Sequence, residues 1–252
     1  VYFNRINISG NTKTRDKVIR RQLEFTEGDL YNSDKVKNSY ARLNRLRYFE
    51  EVNFQTAKGP DESLTDINIG VKERPTGLFS IGAGYSGQDG AMLMAQIAQQ
   101  NLFGRGQSLS LQAALGTENS TIDLSFTEPY LFDIPLWMKA DIWKSTREYD
   151  TYDLATQGLG LTFGYPIWER VMGYLGYKFA INDVKNVQLL ASQTIKDQEG
   201  ETTQSGILTA LSRDTTDDAI FPTSGSRNRA AGDFFGGILG GDVSFGKYNG
   251  SS

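Results

Sequence analysis

The chain has 252 residues, a formal net charge of −4, 38% hydrophobic residues and a negative mean hydropathy. No stretch approaches the roughly 18 apolar residues that a membrane-spanning helix needs, which excludes a helical membrane protein but not a barrel, whose strands need apolar residues only at alternate positions. Cysteine and histidine are both absent, which removes disulfide frameworks, thiolate zinc sites, His-ligated metals and His-based triads. The 27 glycines, 12% aromatic residues and only 6 prolines suit many strands joined by turns.

Val1 to Ile8 alternates polar and apolar residues with no charged-then-apolar leader, as expected of a mature or trimmed start. Tyr2, Ile6 and Ile8 are expected on one face of an opening strand that stops at Ser9-Gly10-Asn11. A helix follows, with Thr14 as N-cap, Asp16 at the positive end of the helix dipole and an apolar stripe of Val18, Ile19 and Leu23, ending near Glu27-Gly28-Asp29. A second helix is expected from Asn32 or Ser33 to about Arg47, with Val36, Tyr40, Leu43 and Leu46 at three- and four-residue spacing. Two strands complete the module: Val52 to Ala57, then the alternating Ile67, Ile69 and Val71, joined across Gly59-Pro60-Asp61.

Pro75 cannot donate to a sheet ladder and, with Thr76-Gly77, marks a linker. Charge divides at the same place: residues 1 to 75 hold 14 Lys+Arg against 11 Asp+Glu, leaving 12 against 19 for the remainder. Two domains are therefore expected, 1–75 and 76–252. Beyond residue 77 the period is two, with about ten strands predicted. Ile122, Leu124 and Phe126 alternate with Asp123, Ser125 and Thr127, and Leu159, Leu161 and Phe163 with Gly160, Thr162 and Gly164. From Val171 to Ile181 the even positions, including Tyr174, Gly176 and Lys178, form the polar set, which would place Lys178 in a wet lumen. A soluble sandwich gives the same repeat, so alternation alone fits both architectures. Tyr130, Phe132, Trp137, Trp143, Tyr165, Trp168 and Tyr174 are expected near strand ends as an aromatic girdle. Val184 to Thr203 is expected as a long external loop.

Arg5-Ile6-Asn7-Ile8-Ser9-Gly10-Asn11-Thr12-Lys13-Thr14-Arg15-Asp16 with Val18-Ile19-Arg20-Arg21, the run from Tyr40 to Val52, and Val71-Lys72-Glu73-Arg74-Pro75-Thr76-Gly77 resemble the last polypeptide-transport-associated (POTRA) domain of the BamA family of outer-membrane β-barrel assembly proteins and its junction with the barrel. Gly82-Ala83-Gly84-Tyr85-Ser86, Asn101-Leu102-Phe103-Gly104-Arg105-Gly106, Glu128-Pro129-Tyr130 and Phe221-Pro222-Thr223-Ser224-Gly225-Ser226-Arg227 extend the resemblance over essentially the whole chain. It implies an α+β POTRA domain (β-α-α-β-β) in the periplasm, followed by about ten of the family's 16 antiparallel transmembrane β-barrel strands in the bacterial outer membrane. The family's Val-Arg-Gly-Phe type lumen motif and its closing strands have no counterpart here.

The resemblance further implies ATP-independent insertion of β-barrel proteins. Leu78, Phe79, Ser80, Ile81, Gly82, Ala83, Gly84 and Tyr85 would form a gate strand that pairs with substrate strands, and Glu73, Arg74, Pro75, Thr76 and Gly77 the POTRA–barrel junction. Gly82 and Gly84 would either weaken strand packing or relieve crowding. Implied partners are unfolded outer-membrane β-barrel proteins, accessory lipoproteins of the assembly complex, periplasmic chaperones and the lipid bilayer. The rival from the same superfamily is a two-partner-secretion translocation pore.

No cofactor, metal or catalytic residue is expected. The acidic run Arg213-Asp214-Thr215-Thr216-Asp217-Asp218 lacks the glycine-centred loop of a Ca²⁺ site and is expected as a turn. Arg15, Lys17, Arg20, Arg21, Arg42, Arg45 and Arg47 are expected as solvated helix faces rather than a nucleic-acid surface. The helix–helix turn Thr26-Glu27-Gly28-Asp29 lacks the Gly-X-X-Gly clamp of a KH module.

Overall fold

The computed structural model describes residues 1–87, 90–216 and 223–251. Asp217, Asp218, Phe221 and Pro222, named above, lie outside the described residues. Two compact units are present: Val1–Leu78 with Gln99–Ser108, and Phe79–Ala98 with Leu109–Ser252.

The first unit contains β1 (Tyr2–Ser9), α1 (Asp16–Arg20), α2 (Ser33–Arg45), β2 (Phe49–Lys58) and β3 (Leu64–Glu73). Its sheet has the order β1-β3-β2, with β1 parallel and β2 antiparallel to the central β3. Ile67, Ile69 and Val71 alternate inward from β3 and meet Val18, Ile19 and Leu43 from the helices. Leu43→Ala empties a fully enclosed site and is expected to cost about 2–5 kcal/mol, read as faster amide exchange across β1 and β3.

Three local expectations need correction. The inward aromatic of β1 is Phe3, not Tyr2, because a register irregularity between Phe3 and Ile6 brings Phe3 to the core face, where it stacks on Phe25 with ring centroids 4.3 Å apart. The first helix stops at Arg20, far short of Glu27. The i→i−3 bonds Gln22 N to Ile19 O and Leu23 N to Arg20 O tighten the chain, and Phe25 then turns into the core. Thr14 does not cap that helix; Arg15 holds the cap position without a side-chain bond. The second helix starts as expected, with Asn32 Oδ1 accepting from the Asp34 and Lys35 amides.

The ten strands that follow are β4 (Gly77–Ser86), β5 (Gly90–Leu102), β6 (Gln107–Gly116), β7 (Asn119–Glu128), β8 (Trp137–Tyr149), β9 (Tyr152–Trp168), β10 (Val171–Lys185), β11 (Gly200–Asp214), β12 (Arg227–Phe235) and β13 (Phe245–Ser251). Each bonds to its sequence neighbour, so a single antiparallel sheet runs from β4 at one edge to β13 at the other without closing. A single short helix, α3 (Gln193–Lys196), lies between β10 and β11. The predicted long loop is therefore shorter: Val184 and Lys185 still belong to β10, and Gly200 to Thr203 pair with it as the start of β11.

Register turns the sequence alternation into two faces. Leu124, Ile142, Leu159 and Phe179 align in one row, and Phe126, Ala140, Leu161, Tyr177 and Ile207 in another. The intervening rows carry Ser125, Asp141, Gly160 and Lys178, then Thr127, Lys139, Thr162 and Gly176. One face is thus apolar across many strands and the other polar, the pattern of a transmembrane sheet.

The girdle expectation holds for Tyr165 and Trp168, which are exposed, but not for Trp137, Trp143 and Tyr174. Trp143 lies in mid-strand on the polar face. Its ring covers Gly158, where a Cβ would meet Trp143 Cζ2, and Lys178 Nζ sits 4.9 Å from its centre. Trp137 and Tyr174 meet edge to face across Gly164 at 6.1 Å, on the same polar face. Glycine leaves a shallow cradle, and a neighbouring ring fills it; aromatic identity alone does not reveal which face it occupies.

Candidate functional site

β4 is the terminal strand of the ten-stranded sheet, bonded to β5 on one side and to no strand on the other among the described residues. Every residue from Gly77 to Tyr85 is exposed, with Phe79 at 71% and Tyr85 at 81%. Ser80, Ile81 and Gly82 line a concavity with Gln96, Gln112 and Asp123, and strand alternation sets Ser80 and Gly82 on the face opposite Ile81. Phe79, Ile81, Ala83 and Tyr85 therefore continue the apolar face up to the edge. An unpaired row of backbone N–H and C=O groups is costly next to lipid, and another extended segment satisfies it.

The two interior glycines are not there to avoid a clash. A Cβ at Gly82 would meet nothing within 4 Å, and one at Gly84 only the Met92 and Met94 side chains at 3.7 and 4.0 Å. Their consequence is a strand with little side-chain packing on its polar face. Gly82→Ala and Gly84→Ala should each keep the fold and stabilise β4 by roughly 0.5–1 kcal/mol, seen as slower amide exchange confined to this strand.

At the junction, Glu73 at the end of β3 accepts from Thr12 Oγ1 at 2.7 Å, Lys13 N at 2.8 Å and Thr14 N at 2.5 Å. Burial pushes its pKa up, but hydrogen bonds, led by one from the Thr14 side chain and followed by those from Thr14 N, Thr12 and Lys13, outweigh it and hold the carboxyl at about 2 instead of 4.5. The stabilisation is full above pH 4.5 and is lost as pH falls from there toward 2. Allowing for solvent screening, Glu73→Gln should cost on the order of 1–2 kcal/mol at pH 7 and flatten the acid sensitivity. Urea unfolding of the first unit at neutral and acid pH checks this.

Gly10 belongs to the same turn. Its φ is +88°, and a Cβ there would overlap the Val71 carbonyl, so only glycine lets the β1 exit pass over β3. Arg74 N donates to Tyr48 O at 3.0 Å, Gln100 N to Thr76 O at 3.0 Å and Gln99 Nε2 to Thr76 Oγ1 at 2.7 Å. Glu73, Arg74 and Thr76 are thus engaged by hydrogen bonds; Gly77 starts β4 beside Gln99, and Pro75 bridges between them.

The remaining candidates are structural. Asp214 accepts from Thr216 N and Oγ1 and pairs with Arg227 Nε at 2.8 Å, as a turn requires. Among the described residues no group of acidic side chains is placed to hold a metal. Arg20 is bonded to Asp16 and to the Ile6 carbonyl, and Arg42 to Glu24, so this part of the basic set braces the fold.

Comparison with known proteins agrees with this architecture. Residues 101–252 match the Omp85 superfamily domain, and residues 1–74 match the POTRA model, described as a surface antigen variable number repeat. The chain is 34% identical over 245 residues to the outer membrane protein assembly factor BamA of Nitratidesulfovibrio vulgaris, covering 97% of this chain and 31% of that protein. It therefore spans about a third of that curated relative's length. The crystal structure of BamA from Haemophilus ducreyi lacking POTRA domains 1–3 superposes with a TM-score of 0.77 at 25% identity, covering 96% of this chain and 49% of that one. CdiB from Acinetobacter baumannii shares the fold, with a TM-score of 0.60 at 15% identity over 98% of this chain and 47% of that one. A POTRA domain followed by an amphipathic ten-stranded sheet, matched over more than half of its length by the superfamily model, establishes that the chain belongs to the Omp85 superfamily of outer-membrane β-barrel proteins, its POTRA domain lying in the periplasm.

Proposed function

We propose that this protein assembles β-barrel proteins into the outer membrane without ATP, and that β4 is a lateral gate strand on which client strands form. The reading is supported by the 34% identity to a BamA assembly factor, together with β4 being the first strand of the sheet and its odd positions continuing the apolar face of its neighbours. An incoming strand gains backbone hydrogen bonds that water and lipid cannot both supply at the membrane boundary. Successive strands do the same until the client closes and removes its own edge. The driving force is the burial of lipid-facing apolar surface and the pairing of backbone polar groups, so neither a nucleotide nor a catalytic residue is required.

Clients in this scheme are unfolded outer-membrane β-barrel proteins, delivered by periplasmic chaperones and assisted by accessory lipoproteins at the POTRA domain. The test reconstitutes the native protein in liposomes with an unfolded barrel client and no nucleotide, following the heat-modifiable folded band on a gel. Faster client folding than in protein-free liposomes supports assembly. Client recovered inside the vesicles, with none in the bilayer, would instead mark a translocation pore.

A further inference from the structure

The turn between β5 and β6 clusters with the POTRA domain rather than with the sheet whose strands it joins. Four of the six residues from Asn101, near the end of β5, to Gly106 have left-handed backbone: Asn101 at φ 55°, Phe103 at 52°, Gly104 at 69° and Gly106 at 76°. Such a conformation persists in non-glycine residues only where surrounding contacts fix it. Here they do. Asn101 is 7% exposed and Thr14 2%; Asn101 Nδ2 donates to Thr14 Oγ1 at 2.8 Å while Asn101 Oδ1 accepts from Gly106 N at 2.8 Å.

Two further bonds cross between the turn and the POTRA domain, Arg15 N to Gly104 O at 2.9 Å and Tyr48 Oη to Gly106 O at 3.3 Å. At Gly104 any Cβ would overlap the Lys13 carbonyl, so the two backbones touch directly. The segment just before the turn holds the start of β4 through the Gln99 and Gln100 bonds to Thr76.

We infer that Asn101 and Thr14 are positioning residues: their buried amide–hydroxyl bond latches the β5–β6 turn to the POTRA domain and thereby fixes the register and periplasmic end of β4. A glycine-containing edge strand specifies its own register weakly, because few side chains lock it to one face. The latch supplies the missing reference point. Leu78 sits at the held end and Tyr85 at the free one. The role in assembly rests on β4 being the gate; the latch itself does not.

Thr14→Val keeps the side-chain volume but removes both the acceptor for Asn101 and the hydroxyl bond to Glu73, and Thr14→Ser restores the hydroxyl. Both are made in the native protein in lipid nanodiscs, with Gly104→Ala as a second way to part the two backbones. Amide exchange is followed by mass spectrometry at residues 76–80 and 99–106. Cysteine crosslinks from β4 to the last strand of an unfolded client report the register.

T14V and G104A should speed exchange about tenfold or more in both segments and spread the crosslinks over neighbouring registers, while T14S stays near wild type. Unchanged exchange at residues 76–80 in T14V and G104A would overturn the latch. Faster exchange with crosslinks as register-specific as in wild type would overturn its role in setting register. An absence of β4 crosslinks in the wild type would instead sink the gate while leaving the exchange result to judge the latch.

Discussion

Proline scanning from Phe79 to Tyr85 is expected to abolish client assembly at alternate positions while the sheet remains folded. Along an edge strand, successive N–H groups point by turns to the paired neighbour and to the free side. Proline at a position facing β5 removes a ladder bond, so both the folded state and assembly suffer. Proline at a position facing outward costs the sheet nothing but denies the client a donor next to lipid, where an unmade bond is worth several kcal/mol; assembly should drop about 100-fold or more. Circular dichroism and heat modifiability report the fold, and liposome reconstitution reports assembly. Wild-type assembly with proline at the outward-facing positions would mean that clients do not use the β4 ladder.

The second large effect concerns the apolar face. Leu124 lies in the row with Ile142, Leu159 and Phe179, whereas Ser125 lies in the row with Asp141, Gly160 and Lys178. Leu124→Arg places a cation against hydrocarbon and should destabilise the sheet by about 2–4 kcal/mol. Ser125→Arg, one residue away, faces the polar side beside Asp141 and should change stability by less than about 1 kcal/mol. Urea titration in lipid vesicles separates the two. Similar costs would contradict the assignment of faces.

The alternation of Leu124, Phe126, Leu159 and Leu161 was sufficient to read strands and a two-faced sheet, because pleat and burial share a period of two. The β-α-α-β-β order of the first unit was equally legible from Leu43 and the Ile67, Ile69, Val71 repeat. What escaped sequence reading is tertiary. A bulge moved the inward position from Tyr2 to Phe3, and local spacing carries no mark of it. Thr14 has the residue type of an N-cap, yet its hydroxyl is taken by Asn101, 87 positions away. Trp143 and Tyr174 were assigned to the membrane boundary by residue type, whereas glycines on neighbouring strands cradle them on the polar face.

The candidate site was legible only in part. Leu78 to Tyr85 read as one strand among ten, and family resemblance alone singled it out. Its position at the sheet edge comes from strand order, which no property of those eight residues encodes. The junction was marked by Pro75, but the donors that Thr12, Lys13 and Thr14 gather on Glu73 depend on a loop some sixty residues earlier.

Disulfide crosslinking tests the central claim most directly. The chain contains no native cysteine, so single cysteines at Phe79, Ile81, Ala83 and Tyr85 report cleanly when paired with single cysteines in the last strand of a nascent barrel client. The account predicts crosslinks that shift in step, two client residues for every two β4 residues, as an antiparallel or parallel ladder demands. Clients that crosslink only to polar-face positions such as Lys178, and never to β4, would contradict it and identify the lumen as the path.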